Sequence, residues 1–144
     1  MRSIVLGAMA LALAAAPEAA SAAVLYDNGA LDGRDAGWSI HGTYFVSDSF
    51  TLARAAIVTE VDFGVWTPAN DPITGVDWAI WPSQGASGSA QVSSVLQFVN
   101  DAGLDISWCS FSTGAVTLPA GTYDLVLQKA GTAYGSLESH FWDP

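Results

Sequence analysis

The sequence predicts an all-β protein built as an antiparallel β-sandwich, and three observations carry that prediction. Apolar residues recur with period two along much of the chain, the spacing of a strand with one buried face. Seven to nine such segments are separated by Gly, Pro, Asn and Asp clusters. Beyond the first 22 residues the helix-favouring Lys, Glu, Arg and Met are scarce, whereas Val, Thr, Trp, Tyr and Phe are plentiful. No internal repeat is evident.

Val24-Leu25-Tyr26 reads as a short first strand, closed by the turn Asp27-Asn28-Gly29. Residues 28–37 read as a loop. Trp38 to Leu52 gives one or two strands, with Tyr44, Val46, Phe50 and Leu52 on one face. Asp48 falls in that apolar phase, where a bulge or bonding to Ser47 or Ser49 would accommodate it. Glu60 to Trp81 reads as a hairpin around Thr67-Pro68-Ala69-Asn70-Asp71-Pro72. Residues 82–90 read as a flexible Gly/Ser loop. Gln91 to Val99 is a further strand, followed by the turn Asn100-Asp101-Ala102-Gly103. Leu104, Ile106 and Trp108 begin an alternating strand that runs to about Phe111. Val116 and Leu118 lead into Pro119-Ala120-Gly121-Thr122, and Tyr123, Leu125 and Leu127 run out of it.

The start of the chain has a different character. Arg2, an apolar run from Ile4 to Ala16, and the small-residue site Ala20-Ser21-Ala22 have the layout of a secretory signal peptide. The run falls short of the roughly 20 residues of a membrane span. Cleavage after Ala22 leaves residues 23–144 as one domain, long enough for a core of its own. That part keeps only Arg34, Arg54 and Lys129 as basic residues, and the full chain has a net charge of −10. Such a balance excludes phosphate-backbone neutralisation, so nucleic acid is not an expected partner, and anionic membrane surfaces are disfavoured. Water, divalent cations and neutral glycans remain. Cys109 is the only cysteine and reads as a buried, reduced strand residue; intermolecular pairing is the other reading.

The hairpin carries the candidate site. Val61, Phe63 and Val65 alternate with Glu60, Asp62, Gly64 and Trp66, and Val76, Trp78 and Ile80 alternate with Asp77, Ala79 and Trp81. Matching the apolar faces pairs Phe63 with Trp78, and places Trp66 and Trp81 about 20 Å apart on the outer face. Each indole could hold a sugar ring, with Glu60, Asp62 and Asp77 accepting hydroxyl hydrogen bonds. In that register Asp62 and Asp77 are diagonal neighbours, within roughly 7–8 Å, a spacing that glycoside hydrolysis by an acid and a second carboxylate would use. A solvated acidic sheet face produces the same pattern without any ligand.

The other constellations point less far. Asp27, Asn28, Asp32 and Asp35 lie among glycines and would suit calcium, but match no EF-hand spacing and equally suit a turn. No other cofactor is expected. His41 and His140 sit in no metal-ligand spacing and read as surface or packing residues. No G-x-S-x-G elbow, phosphate loop, dinucleotide fingerprint or CxxC occurs.

Five segments, in order, resemble exported bacterial proteins of the PEP-CTERM sorting class, specifically their small β-rich members. They are Leu25-Tyr26-Asp27-Asn28-Gly29, Val46-Ser47-Asp48-Ser49-Phe50, Phe63-Gly64-Val65-Trp66, Val76-Asp77-Trp78-Ala79-Ile80 and Leu118-Pro119-Ala120-Gly121-Thr122-Tyr123. The resemblance implies a jelly-roll-like sandwich from a Gram-negative bacterium, exported and associated with exopolysaccharide or biofilm matrix. It supplies no catalytic residues. That class ends in a Pro-Glu-Pro motif, an apolar span and an Arg cluster, whereas these 144 residues end in Phe141-Trp142-Asp143-Pro144, so surface anchoring is not implied. The expectation is a secreted, non-enzymatic matrix or surface-associated protein with weak glycan binding. A small hydrolase using Asp62 and Asp77, or a calcium-stabilised module, is the alternative.

Overall fold

The computed structural model describes residues 23–27, 29–31, 33, 37–82, 86–135 and 141–143. The signal-peptide reading of residues 1–22 therefore lies outside the described residues, as do Asn28, Asp32, Asp35 and His140. The described residues form nine strands: β1 (Trp38–Ser39), β2 (Phe45–Leu52), β3 (Ala56–Thr67), β4 (Ile73–Trp81), β5 (Ser87–Gln91), β6 (Ser93–Val99), β7 (Asp105–Leu118), β8 (Gly121–Thr132) and β9 (Phe141–Asp143). Two antiparallel sheets result, ordered β1-β9-β3-β7-β6 and β2-β8-β4-β5. No helix among the described residues is long and apolar enough to cross a membrane.

The alternation read within each strand holds, and the pairing read between β3 and β4 does not. Val61, Phe63 and Val65 do share the core with Val76, Trp78 and Ile80. They do so across the space between two sheets: β3 pairs with β7 and β9, and β4 with β5 and β8. The five residues between them form a corner pinned to both sheets. Asn70, at φ 62°, donates its N–H to Asp105 at the start of β7 (2.8 Å). Asp71 is buried and accepts from the Thr132 hydroxyl at the end of β8 (2.8 Å) and from the Tyr134 N–H (2.7 Å). A shared apolar face is satisfied by stacking sheets as well as by pairing strands, and this corner selects stacking.

Aromatic contacts tie the layers together. Phe111 of β7 meets Phe63 edge-on (centroids 6.0 Å apart) and reaches Trp78 of the other sheet (5.9 Å). Cys109 is fully buried in this core, as expected, and burial pushes its thiol up to about 12. The Asn100 turn is also as expected: the Asn100 side-chain oxygen accepts from Ala102 and Leu104 (both 3.0 Å), and Gly103 takes φ +78°. Leu118 and Tyr123 are buried on either side of the Pro119 turn, and the Tyr123 hydroxyl donates to the Pro119 carbonyl (3.0 Å).

Three other expectations are corrected. Val24-Leu25-Tyr26 is not in a strand. The Tyr26 ring instead lies 6.1 Å from the Phe50 ring on β2, and its hydroxyl donates to Asp48 (3.1 Å). Asp48 thus has a distant partner, and β2 runs in unbroken register with β8 with no bulge. The Gly/Ser stretch contains a strand, β5, which pairs with β4. Gly88 of that strand lies against the Trp78 ring, where a Cβ would make ordinary contact at 3.5 Å from the ring nitrogen.

Candidate functional site: a groove beside β3

Separation of β3 from β4 divides the expected site between the two outer faces of the sandwich. Glu60, Asp62 and Trp66 lie in the outward phase of β3, and Asp77 and Trp81 in that of β4. Asp62 and Asp77 are therefore not neighbours, and the carboxylate pair expected from the hairpin does not form. Trp66 is only 8% exposed, so its ring is closed to a ligand. It stands opposite the fully buried Ile106 in the β3–β7 ladder. Gly33 covers that end of the face: at φ +64°, a Cβ there would lie 2.7 Å from Phe98 and 3.3 Å from Ile106.

On the β4 side, Trp81 is 55% exposed and stands opposite Asp124 of β8, which accepts from the Ser49 hydroxyl (2.5 Å). Asp77 is fully engaged. It accepts from the Ser89 hydroxyl (2.5 Å) and pairs with the Lys129 ammonium (3.0 Å). Those two hydrogen bonds, Ser89 first, hold its carboxyl below the usual range. An acid so satisfied is poorly placed to accept from a ligand as well.

The β3 side keeps its two carboxylates open, and there the structure has a groove of about 590 Å³. It runs along Ile57 to Gly64, between that strand and the described residues 23–31. Its origin is topological: β9 pairs with β3 only at Gly64, Val65 and Trp66, and does not continue beside the first two-thirds of the strand. Tyr26, Asp48 and Leu125 close the side nearer the other sheet, and Trp108 lines the side nearer β7.

Register sets the outer wall of this groove, whose remaining lining is largely apolar and includes Val61 and Phe63 of β3 and Phe50 and Ile80 of the other sheet. Trp108 stands opposite Gly64, Ser110 opposite Asp62, and Ser112 opposite Glu60. Because Gly64 has no side chain, one flank of the Trp108 indole has no cross-strand neighbour. Asp62 is its diagonal neighbour, roughly 7–8 Å away, and Glu60 lies two residues further along the same face, about 7 Å beyond. Asp62 has its carboxyl raised, by partial loss of water first and by repulsion from Glu60 second. The result is an apolar ring edged by two carboxylates. These groups can pack against the apolar side of a polyhydroxylated ring and accept its hydroxyl protons.

Trp108 was legible in the sequence only as a strand residue. Leu104, Ile106 and Trp108 do alternate, but Ile106 and Trp108 belong to the outer face, and the core side of β7 carries Ser107, Cys109 and Phe111. Burial of Ile106 beneath Gly33 gives that outer face its own apolar patch. Of the suggested calcium cluster only Asp27 is described; its Oδ1 accepts from the Gly29 N–H (2.9 Å), the bond of an Asx turn. The described residues hold no group of three or more His, Cys, Asp or Glu side chains arranged to bind a metal. His41 lies 2.8 Å from the Ser39 hydroxyl and packs at 6.0 Å against Tyr44.

Comparison with models of known families, with curated proteins and with solved structures found no match in any of the three. The class defined here is thus an all-β protein of two antiparallel sheets, with a groove along the half-open edge of one of them.

Proposed function

We propose that the protein is an exported, non-enzymatic matrix or surface-associated module that binds a neutral extracellular polysaccharide along the β3 groove. The observation that carries the reading is Trp108 beside the side-chain-free Gly64, with Asp62 and Glu60 on the next two rows. A groove that follows one strand suits an extended polymer. Its carboxylates can accept from hydroxyls, and a net charge of −10 disfavours anionic ligands. Export rests on the basic, apolar and small-residue succession of residues 1–22 and on the resemblance to PEP-CTERM-class proteins. The strand orders suit a jelly-roll-like sandwich, a fold shared by many unrelated proteins. With β6 set aside, β1-β9-β3-β7 and β2-β8-β4-β5 interleave as in an eight-stranded jelly roll.

The test is tryptophan fluorescence titrated with a panel of neutral and acidic polysaccharides. A neutral glycan should shift the emission, and Trp108→Ala or Asp62→Asn should abolish the shift while leaving the melting curve in place. A panel without response removes glycan binding and leaves a structural matrix role.

The carboxyl of Asp62, raised beside Glu60, also supports a second reading. Glu60 lies about 7 Å along the same strand face, so the two carboxyl groups could divide acid and base roles in glycan hydrolysis. That reading requires released reducing ends, lost in both Asp62→Asn and Glu60→Gln.

A further inference from the structure

The strands at the sheet edges are protected to different degrees. Among the described residues these are β1 and β6 in one sheet and β2 and β5 in the other. β1 is two residues long, and β5 carries only Ser, Gly, Ala and Gln. β2 bears Asp48 and is met by Tyr26. β6 has seven residues, SSVLQFV, with no charge and no proline. Val95 is 62% exposed, Leu96 55%, Phe98 38% and Val99 56%. Folded proteins blunt such edges with charge, proline or shortness, because unpaired backbone groups flanked by apolar side chains template further pairing. One partial guard is present: the ladder with β7 shifts between Leu96 and Phe98, and the intervening Gln97 amide donates to the Val95 carbonyl (3.0 Å).

We propose that β6 is a self-association edge, at which a second copy of this chain adds its own β6 antiparallel and joins two five-stranded sheets into one. Charge selects a copy as the occupant. Two molecules of net charge −10 repel over most approaches, but residues 78–100 contain no Asp, Glu, Lys, Arg or His. β6 lies inside that neutral stretch. A basic partner would be drawn to the acidic faces, and an acidic one would gain nothing at this edge. A strand edge is also self-complementary about a two-fold axis, so one surface serves both molecules. In the antiparallel arrangement the Asp101 and Asp105 of each copy fall at opposite ends of the joined strands.

Sedimentation velocity over a range of protein concentrations tests the proposal. The expected result is a reversible monomer–dimer equilibrium that tightens with added salt, because salt screens the remaining repulsion. The double variant Val95→Lys with Val99→Lys should weaken association at least tenfold. Both side chains are exposed, so its melting curve should match the parent. A chain that stays monomeric throughout overturns the proposal, as does a dimer that loosens with salt or is indifferent to the two lysines. Glycan binding in the β3 groove is measured separately and stands or falls independently.

Discussion

Asp62 and Asp77 point away from each other, one from each outer face of the sandwich, and their carboxyls shift in opposite directions. Asp62 loses water and faces Glu60, whereas Asp77 accepts from Ser89 and pairs with Lys129. The sequence places both acids in the outward phase of their strands. Their difference comes entirely from which sheet each strand joins.

The opposed shifts predict opposite pH behaviour in two conservative variants. The contribution of Asp77 is present above its unfolded value and is lost as pH falls through the depressed folded value. Asp77→Asn should therefore lower the melting temperature near neutral pH, with the deficit closing in acid. Asp62 has the reverse sign: protonation favours the folded state, and that advantage fades as pH rises through the raised value. Asp62→Asn should raise or leave unchanged the melting temperature near neutral pH. Melting curves recorded from pH 3 to pH 8 separate the two patterns; parallel pH profiles for both variants would contradict the assignment.

Trp66 and Trp108 occupy the same face and should behave differently. Trp66→Ala removes a ring that is 8% exposed and should cost about 3–5 kcal/mol, read from the denaturant midpoint. The folded fraction should keep its glycan response. Trp108 is 38% exposed, so its replacement should be far milder for stability and decisive for binding.

Gly33 is fixed twice, by φ +64° and by its 2.7 Å approach to Phe98. Gly33→Ala should cost about 1–2 kcal/mol for the left-handed backbone alone, with any shift of Phe98 adding to that. Trp66, roofed at the same end of the sheet, should then report the loosening as greater quenching by acrylamide.

Tyr26→Phe keeps the ring against Phe50 and removes the hydrogen bond to Asp48. The global loss should be about 1 kcal/mol or less, since the bond is exposed. Amide exchange should quicken over residues 23–27 and stay unchanged in the core strands. Slowed or unaltered exchange there would show that this bond does not hold the segment over the groove.

The inner and outer sides of β2, β3, β4 and β8 were legible in the sequence because side-chain direction follows from period two alone. Partner choice was not, since the same alternation is met by a neighbour beside the strand or a sheet opposite it. The link from Thr67 to Pro72 looked like a hairpin turn, and its anchors, Asp105 and Thr132, lie far along the chain. β5 escaped notice because Ser and Gly read as loop. There Gly88 lies against the Trp78 ring and Ser89 places its hydroxyl on Asp77. Trp66 and Trp81 looked equivalent, but Trp66 is paired on both sides, with Ile106 of β7 and Phe141 of β9, whereas Trp81 ends β4 and stays half exposed.

The corner between β3 and β4 also bears on how fast the chain reaches this structure. With those two strands in different sheets, only β4–β5 and β6–β7 pair between chain neighbours. Phe45 must find Gln128, eighty-three positions away, before the β2–β8 ladder can close from that end. Sandwiches dominated by such distant pairings fold in milliseconds to seconds, against microseconds for local topologies. Through that interval the uncharged β6 segment is available to other chains, so the yield of folded protein should fall as refolding concentration rises.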